Sequence, residues 1–168
     1  MSEGRPVLSY PMELDTAAIE RLLPHRGESL FIRRVTVLAH DRYVGHAIWS
    51  RQMSILQGHF PGMPLVPGVL LVEAAAQVAG AGMLAGDPHV SGMGADYLGM
   101  LAGIRKCSFR RPVPADAWVV IEMSSRRMSD NVAALSGRLS LEEAEVASVE
   151  FLLVNTPRQM SGRAPPSG

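Results

Sequence analysis

The amino-acid sequence predicts an α+β fold in which a single antiparallel sheet curls around one long apolar helix. Three observations carry this reading. The run from Val69 to about Leu84 contains no proline and is dominated by Leu and Ala as far as Ala79; in that stretch only Glu73 and Gln77 are polar, so the helix has almost no face for water. Strand-like segments precede and follow it, joined by short polar turns rather than by further helices, which is the pattern of α+β and not of alternating βαβ units. The chain has 168 residues, 47% of them apolar, enough for one compact domain with a real core and too few for two.

Taken in order, residues 1–13 read as a loosely held arm and residues 14–155 as the domain. Asp15 is placed to cap a short helix, Thr16 to Leu23, whose Ile19, Leu22 and Leu23 fall on one side and which Pro24 ends. Leu30 to Leu38 and Arg42 to Ser50 are strands joined by the turn Ala39-His40-Asp41, and Val35, Val37, Val44, Ile48 and Trp49 suit a sheet. After the central helix, Gly86 to Gly99 is a Gly-rich connection. Leu101 to Arg110, Trp118 to Arg127, Asn131 to Ser140 and Val146 to Asn155 close the sheet, with turns at Pro112 to Asp116, Ser129-Asp130 and Leu141 to Glu145. Val119, Ile121 and Met123 alternate with Glu122 and Ser124, as a half-buried antiparallel strand requires. Residues 156–168, rich in Pro, Gly, Ser and Arg, have little to bury and read as a disordered tail.

Composition narrows the function. Lys plus Arg equals Asp plus Glu at 16 each, so no net field draws the chain to nucleic acid or to an anionic membrane. No apolar run follows the first residues, so no secretory signal is expected, and Glu73 and Gln77 interrupt the most apolar segment as a membrane span. The single cysteine, Cys107, excludes an internal disulfide and fits a reducing cytoplasm; in an alternating stretch it reads as a small half-buried thiol and not as a nucleophile. Gly80, Gly82 and Ala85 resemble a dinucleotide-binding glycine pattern but fall inside a helix, so no nucleotide cofactor is expected. The ten methionines read as adaptable core.

The chemistry concentrates between Gln57 and Gln77. Gly58, Pro61, Gly62, Pro64, Pro67 and Gly68 make the first half a tight loop that feeds the helix. His59 is an imidazole held in that loop, and imidazole is the side-chain type that can take or give a proton near working pH. Glu73 and Gln77 lie one helical turn apart and share a face. A carboxylate on an apolar helix is costly to desolvate, so the pKa of Glu73 is expected to rise. Gly68 follows Pro67 at the helix start, where a free backbone N–H and the positive dipole end point at any incoming oxygen.

Gly58 through Gln77 match, at every fixed position, the pattern Gly-His-Phe-Pro-Gly-x-Pro-x-x-Pro-Gly-Val-Leu-x-x-Glu-Ala-x-Ala-Gln, which resembles the signature of the β-hydroxyacyl-acyl-carrier-protein dehydratases of bacterial fatty-acid synthesis. Leu23-Pro24-His25-Arg26, Ala102-Gly103-Ile104 and Phe109 to Val113 resemble further blocks of that family. The resemblance implies the hotdog fold and a homodimer or trimer of dimers. It also implies an acyl carrier protein bearing a 3-hydroxyacyl chain as partner, and no metal, nucleotide or other cofactor. Dehydration needs a base for the C2 proton, an acid for the hydroxyl and a donor for the thioester oxygen. By resemblance His59 is the catalytic histidine and Glu73 the catalytic acid, drawn from the two subunits of a dimer. The Gly68 amide polarises the thioester, Gln77 supports Glu73, and Phe60 and Pro67 help to bind substrate.

Glutamate at position 73 places the chain nearer the dehydratase-only branch. The remaining histidines, His25, His40, His46 and His89, take structural readings, with His25 positioning its Leu-Pro-His-Arg turn. Where the family shows acids, this chain has Arg33 and Arg105, and Gly27-Glu28-Ser29 replaces more apolar residues; such exchanges bear on carrier or subunit contacts and admit polyketide or aryl-polyene assembly beside fatty-acid synthesis. Two alternatives stand beside dehydration: a hotdog thioesterase in which Glu73 activates water, and a non-catalytic subunit that binds acyl carriers or pairs with an active homologue.

Overall fold

The computed structural model describes residues 8–94 and 96–158. Seven antiparallel strands form one sheet: β1 (Met12–Leu14), β2 (Ile32–Ala39), β3 (Arg42–Ala47), β4 (Tyr97–Phe109), β5 (Val119–Arg127), β6 (Val132–Leu141) and β7 (Ala144–Pro157). They lie in the order β1-β2-β3-β5-β6-β7-β4. The helices are α1 (Thr16–Leu22), α2 (Ser54–Gly58), α3 (Gly68–Gly86) and α4 (Pro88–Ser91), with a 3-10 turn at Gly27–Ser29.

The alternation that marked the strands also sets their faces. Val35 and Val37 of β2, Tyr43 and Ala47 of β3, Val119 and Ile121 of β5, Leu135 and Leu139 of β6, and Val149 and Phe151 of β7 are all buried in one core. Register aligns them across the sheet, with Gly45 opposite Ile121, Ile121 opposite Leu139, and Leu135 opposite Phe151. The core faces α3, where Leu71, Val72, Ala74, Ala75, Val78, Ala79 and Ala81 are buried in turn. Helix and sheet meet at glycines. A Cβ at Gly82 would enter the Tyr43 ring, one at Gly45 would enter Val78, and one at Gly86 would overlap Val37. By length and hydropathy alone α3 would serve as a membrane span, but here most of it is enclosed by the sheet.

Strand pairing reaches beyond residues 14–155 at both ends. Met12–Leu14 pair with Val35, Thr36 and Val37 of β2, and the Tyr10 hydroxyl donates to the Gly86 carbonyl at 2.5 Å, so residues 10–13 belong to the domain. β7 continues to Pro157, which pairs with Tyr97, because β4 begins earlier than expected. Residues 1–7 and 159–168 lie outside the described residues. The Gly86–Gly99 connection contains α4, capped when the Asp87 carboxylate accepts from His89 N at 2.8 Å. Cys107 is half-buried on β4, and burial pushes its thiol pKa up, which suits an unreactive side chain.

Gly82→Val places a branched side chain against Tyr43, and its gain in helix propensity over glycine is only about 0.3 kcal/mol. It is expected to destabilise the protein by about 1–3 kcal/mol, measured as a lower midpoint of urea unfolding with the slope unchanged.

Candidate active site

Pro24 ends α1, and the Leu-Pro-His-Arg turn that follows is tied down by its own arginine. Arg26 donates to the carbonyls of Leu23 at 2.7 Å, His25 at 2.6 Å and Glu20 at 2.7 Å. The turn therefore lays His25 against α3, where its Nε2 stands 3.2 Å from Glu73 Oε1. Gln77, one turn further along α3, donates to the same oxygen at 3.1 Å. Gln77 is 1% exposed and has no spare group: its Nε2 also donates to Ser29 O at 2.7 Å, and its Oε1 accepts from Phe31 N at 3.0 Å. A buried amide is affordable because each of its polar atoms is bonded.

The carboxyl of Glu73 is held below the ordinary carboxylate range. Its hydrogen bond with His25 is the largest cause, burial works in the opposite direction, and the bond from Gln77 adds to the lowering. The rise expected from an apolar helix is thus overturned: desolvation is present but outweighed by two donors on one oxygen. Only Oε1 is bonded among the described residues.

Glu73, His25 and Gln77 stand at one end of a groove of about 430 Å³. Its apolar walls include Leu23 before the turn, Gly80, Met83 and Leu84 of α3, and Leu101 and Leu153 of the sheet. β4 runs antiparallel to α3, since Phe109 covers Gly68 while the Tyr97 end lies by α4. The groove therefore extends along the helix from Glu73 past Leu84, about 16 Å at 1.5 Å per residue. At Gly80 a Cβ would meet only Leu23, at 3.5 Å, so the glycine leaves the groove open.

The His59 loop forms a second, separate cluster. His59 ends α2, and Phe60 then takes a left-handed φ of 52° before Gly62 at 85°. Such a φ is unfavourable for an aromatic residue and persists only where the surroundings enforce it. The turn at Phe60 is closed by Met63 N to Phe60 O at 2.9 Å, and the loop beyond it is tied down by the bridge between Leu65 and Pro114, Val66 N to Val113 O at 2.8 Å, and Ala115 N to Pro64 O at 3.0 Å. The turn sets the exposed Phe60 ring edge-on to His59 at 4.5 Å. His59 Nδ1 lies 3.0 Å from Leu65 O. A carbonyl only accepts, so Nδ1 carries the hydrogen and the neutral ring keeps its lone pair on Nε2. Pro67 follows as the N-cap of α3 and offers no side-chain cap, leaving amides of the first turn open. Gly68 is required by close approach, since a Cβ there would sit 2.7 Å from the Phe109 ring.

The protomer brings together Glu73 and Gln77, and separately His59, Phe60, Pro67 and Gly68. Among the described residues His59 does not contact Glu73 and does not line its groove. His25, read from sequence as a structural turn residue, is the imidazole that touches Glu73. The Leu-Pro-His-Arg block was the available signal, but nothing in its spacing shows where a turn far from α3 in sequence will dock. His40, His46 and His89 lie outside the groove. Arg33 spends its guanidinium on the Leu30 carbonyl at 2.7 Å, and Arg105 is exposed on β4.

Gln77→Leu removes the partners of Phe31 N and Ser29 O at a buried position. It is expected to cost about 1–3 kcal/mol of stability, read from chemical unfolding.

The chain matches the FabA-like domain family over residues 23–150. The 3-hydroxyacyl-[acyl-carrier-protein] dehydratase FabZ of Alkaliphilus metalliredigens is 39% identical over 147 residues, covering 86% of this chain and 97% of that protein. The FabZ of Syntrophomonas wolfei is 34% identical over 143 residues, covering 84% and 95%. Among solved structures, the dehydratase heterocomplex ApeI:P of Xenorhabdus doucetiae superposes with a TM-score of 0.69 at 18% identity over 93% of this chain and all of that one. A hypothetical thioesterase with coenzyme A from Streptococcus pneumoniae reaches 0.52 at 10% identity, covering 71% and 81%. At such identities the solved structures speak for the fold alone, which is the hotdog fold.

Proposed function

Because this chain belongs to the FabA-like family of 3-hydroxyacyl-acyl-carrier-protein dehydratases, we propose that it removes water from a 3-hydroxyacyl thioester carried on acyl carrier protein, leaving the trans-2-enoyl thioester. The observation that carries this reading is a carboxyl fixed through one oxygen at the end of an apolar groove, in a chain that also holds a histidine whose Nε2 lone pair is free.

The steps follow from these groups. The acyl chain lies along α3 in the groove, with its C3 hydroxyl at Glu73. His59 Nε2 of a second copy takes the C2 proton, the C3–O bond breaks, and Glu73 Oε2 gives its proton to the departing oxygen, which leaves as water. The open amide of Gly68 at the start of α3 receives the thioester oxygen, where negative charge develops. Phe60 and Pro67 frame the entrance on either side of the His59 loop. Burial already opposes the lowering by the two donors at Glu73, and exclusion of water by a partner subunit and a bound chain would act in that same raising direction, toward the proton-bearing acid.

This reading calls for two subunits, because among the described residues His59 and Glu73 do not meet within one. Pairing has an evident surface: β4 is the outer strand of the sheet, thirteen residues long, with Met100, Leu101 and Ile104 exposed. A homodimer, alone or in a trimer of dimers, working in the cytoplasm in fatty-acid synthesis or related polyketide or aryl-polyene assembly, fits these features. The thioesterase alternative has no observation of its own here, because the likeness to a thioesterase extends only to the fold.

Intact-mass measurement of the carrier tests the reaction: a carrier-bound 3-hydroxyacyl chain should lose one water, and an unchanged mass at every chain length would overturn the reading. His59→Ala and Glu73→Gln should each slow that loss by about 10²–10⁴-fold. Mixed and reassembled, the two inactive variants should regain up to about a quarter of wild-type activity, since a hybrid two-fold dimer has one intact site. Gly80→Leu should lower kcat/KM for long chains about 10–200-fold while sparing short ones, measured with a carrier series of increasing acyl length.

A further inference from the structure

His25, and not His59, is the imidazole in contact with Glu73 within the protomer. The contact is a built one. Pro24 and the three carbonyl bonds of Arg26 fix the turn, and His25 Nε2 and Gln77 Nε2 converge on the same oxygen, Oε1, at 3.2 and 3.1 Å. The other oxygen, Oε2, takes no hydrogen bond among the described residues, and the residue lines the groove.

The ring's other nitrogen decides what kind of partner His25 is. Nδ1 is buried with no hydrogen-bond partner among the described residues. A carboxylate oxygen accepts, so the hydrogen belongs on Nε2; a second hydrogen, on Nδ1, would be buried without an acceptor, at the cost of its lost hydration. The arrangement selects a neutral ring with a single donor aimed at Glu73.

We propose that His25 is a positioning residue for the dehydration proposed above, on which this inference rests. Its neutral imidazole donates from Nε2 to Glu73 Oε1, shares that oxygen with Gln77, and so turns Oε2 into the groove as the oxygen that hands a proton to the departing hydroxyl. When Oε2 gives up that proton, C3–O cleaves with its electron pair on oxygen, water leaves, and the new carboxylate is met by two donors already in place. Preorganised donors of this kind favour the charged product of proton transfer and strengthen the acid. The low pKa of Glu73 has the His25 hydrogen bond as its largest cause, with a charge contribution from the same ring as its smallest. The other titratable groups lining the groove are Arg21 of α1, Tyr97 of β4 and Arg158 after β7, towards the end remote from Glu73 for the last two.

The test compares His25→Ala with His25→Gln, whose side-chain amide keeps a donor and cannot titrate. Carboxyl-carbon NMR of the full-length protein follows the Glu73 resonance, identified by its absence in Glu73→Gln, through a pH titration. Kinetics on a carrier-bound 3-hydroxyacyl chain separate kcat from KM. In His25→Ala the Glu73 titration should move to higher pH, since its main lowering contact is gone, and kcat should fall about 10–100-fold with KM changed less than about threefold. His25→Gln should keep the low titration point and recover most of kcat. An unmoved Glu73 titration in the alanine variant would overturn the proposal, as would a glutamine variant as impaired as alanine, which would mean that the ring acts by carrying charge. If the unmodified protein dehydrates no chain, the proposed reaction falls, and the NMR titration still decides the contact. Should the alanine variant fail to fold, the glutamine variant alone decides between donor and charge.

Discussion

A nineteen-residue helix with almost no polar side has to be covered on nearly all of its circumference, and the rest of the protein provides that cover. The sheet curls because it must reach around α3. Gly45, Gly82 and Gly86 let backbone and side chains approach more closely than a Cβ would allow. Strands β2, β3, β5, β6 and β7 contribute alternate residues to the same apolar interior, so register and burial are two descriptions of one constraint.

Two polar side chains sit in that helix, and the structure treats them differently. Gln77 is wholly buried, and its amide is used up by Ser29, Phe31 and Glu73, so it joins the turn before β2 to the central helix. Glu73 faces the groove and keeps one oxygen open. The pair turns a costly burial into an ordered carboxyl: Gln77 is fixed by backbone groups, and Glu73 is fixed by Gln77 and His25. Arg26 stands behind His25, holding its turn through carbonyls alone. A short chain of hydrogen bonds thus links the end of α1 to the proposed acid.

The loop from His59 to Gly68 solves a different problem. It brings a histidine out of a short helix, reverses direction at Phe60 and Gly62, and delivers the chain to the uncapped start of α3. Its ties run to residues 113–115, before β5, rather than to the Glu73 groove. Each half is therefore ordered by its own neighbours, and the chemistry proposed for them depends on a second copy bringing the halves together.

Sequence alone determined the central helix, the strand alternation and the α+β class, because these follow from local periodicity and from the absence of any wet face between Val69 and Ala79. It also supplied Glu73 and Gln77 as neighbours, since residues one turn apart on a helix must share a face. It misjudged the strand at Met12–Leu14, too short to show a period, and the extension of β4 back to Tyr97, where glycines interrupt the pattern. The protonation tendency of Glu73 was decided by tertiary structure. Burial could be inferred from the apolar helix, but the donor that outweighs it comes from His25, forty-eight positions away (73 minus 25), and only the folded turn puts it there. Hydrophobic pattern is a property of the chain, whereas a carboxyl's environment is a property of what the fold brings beside it.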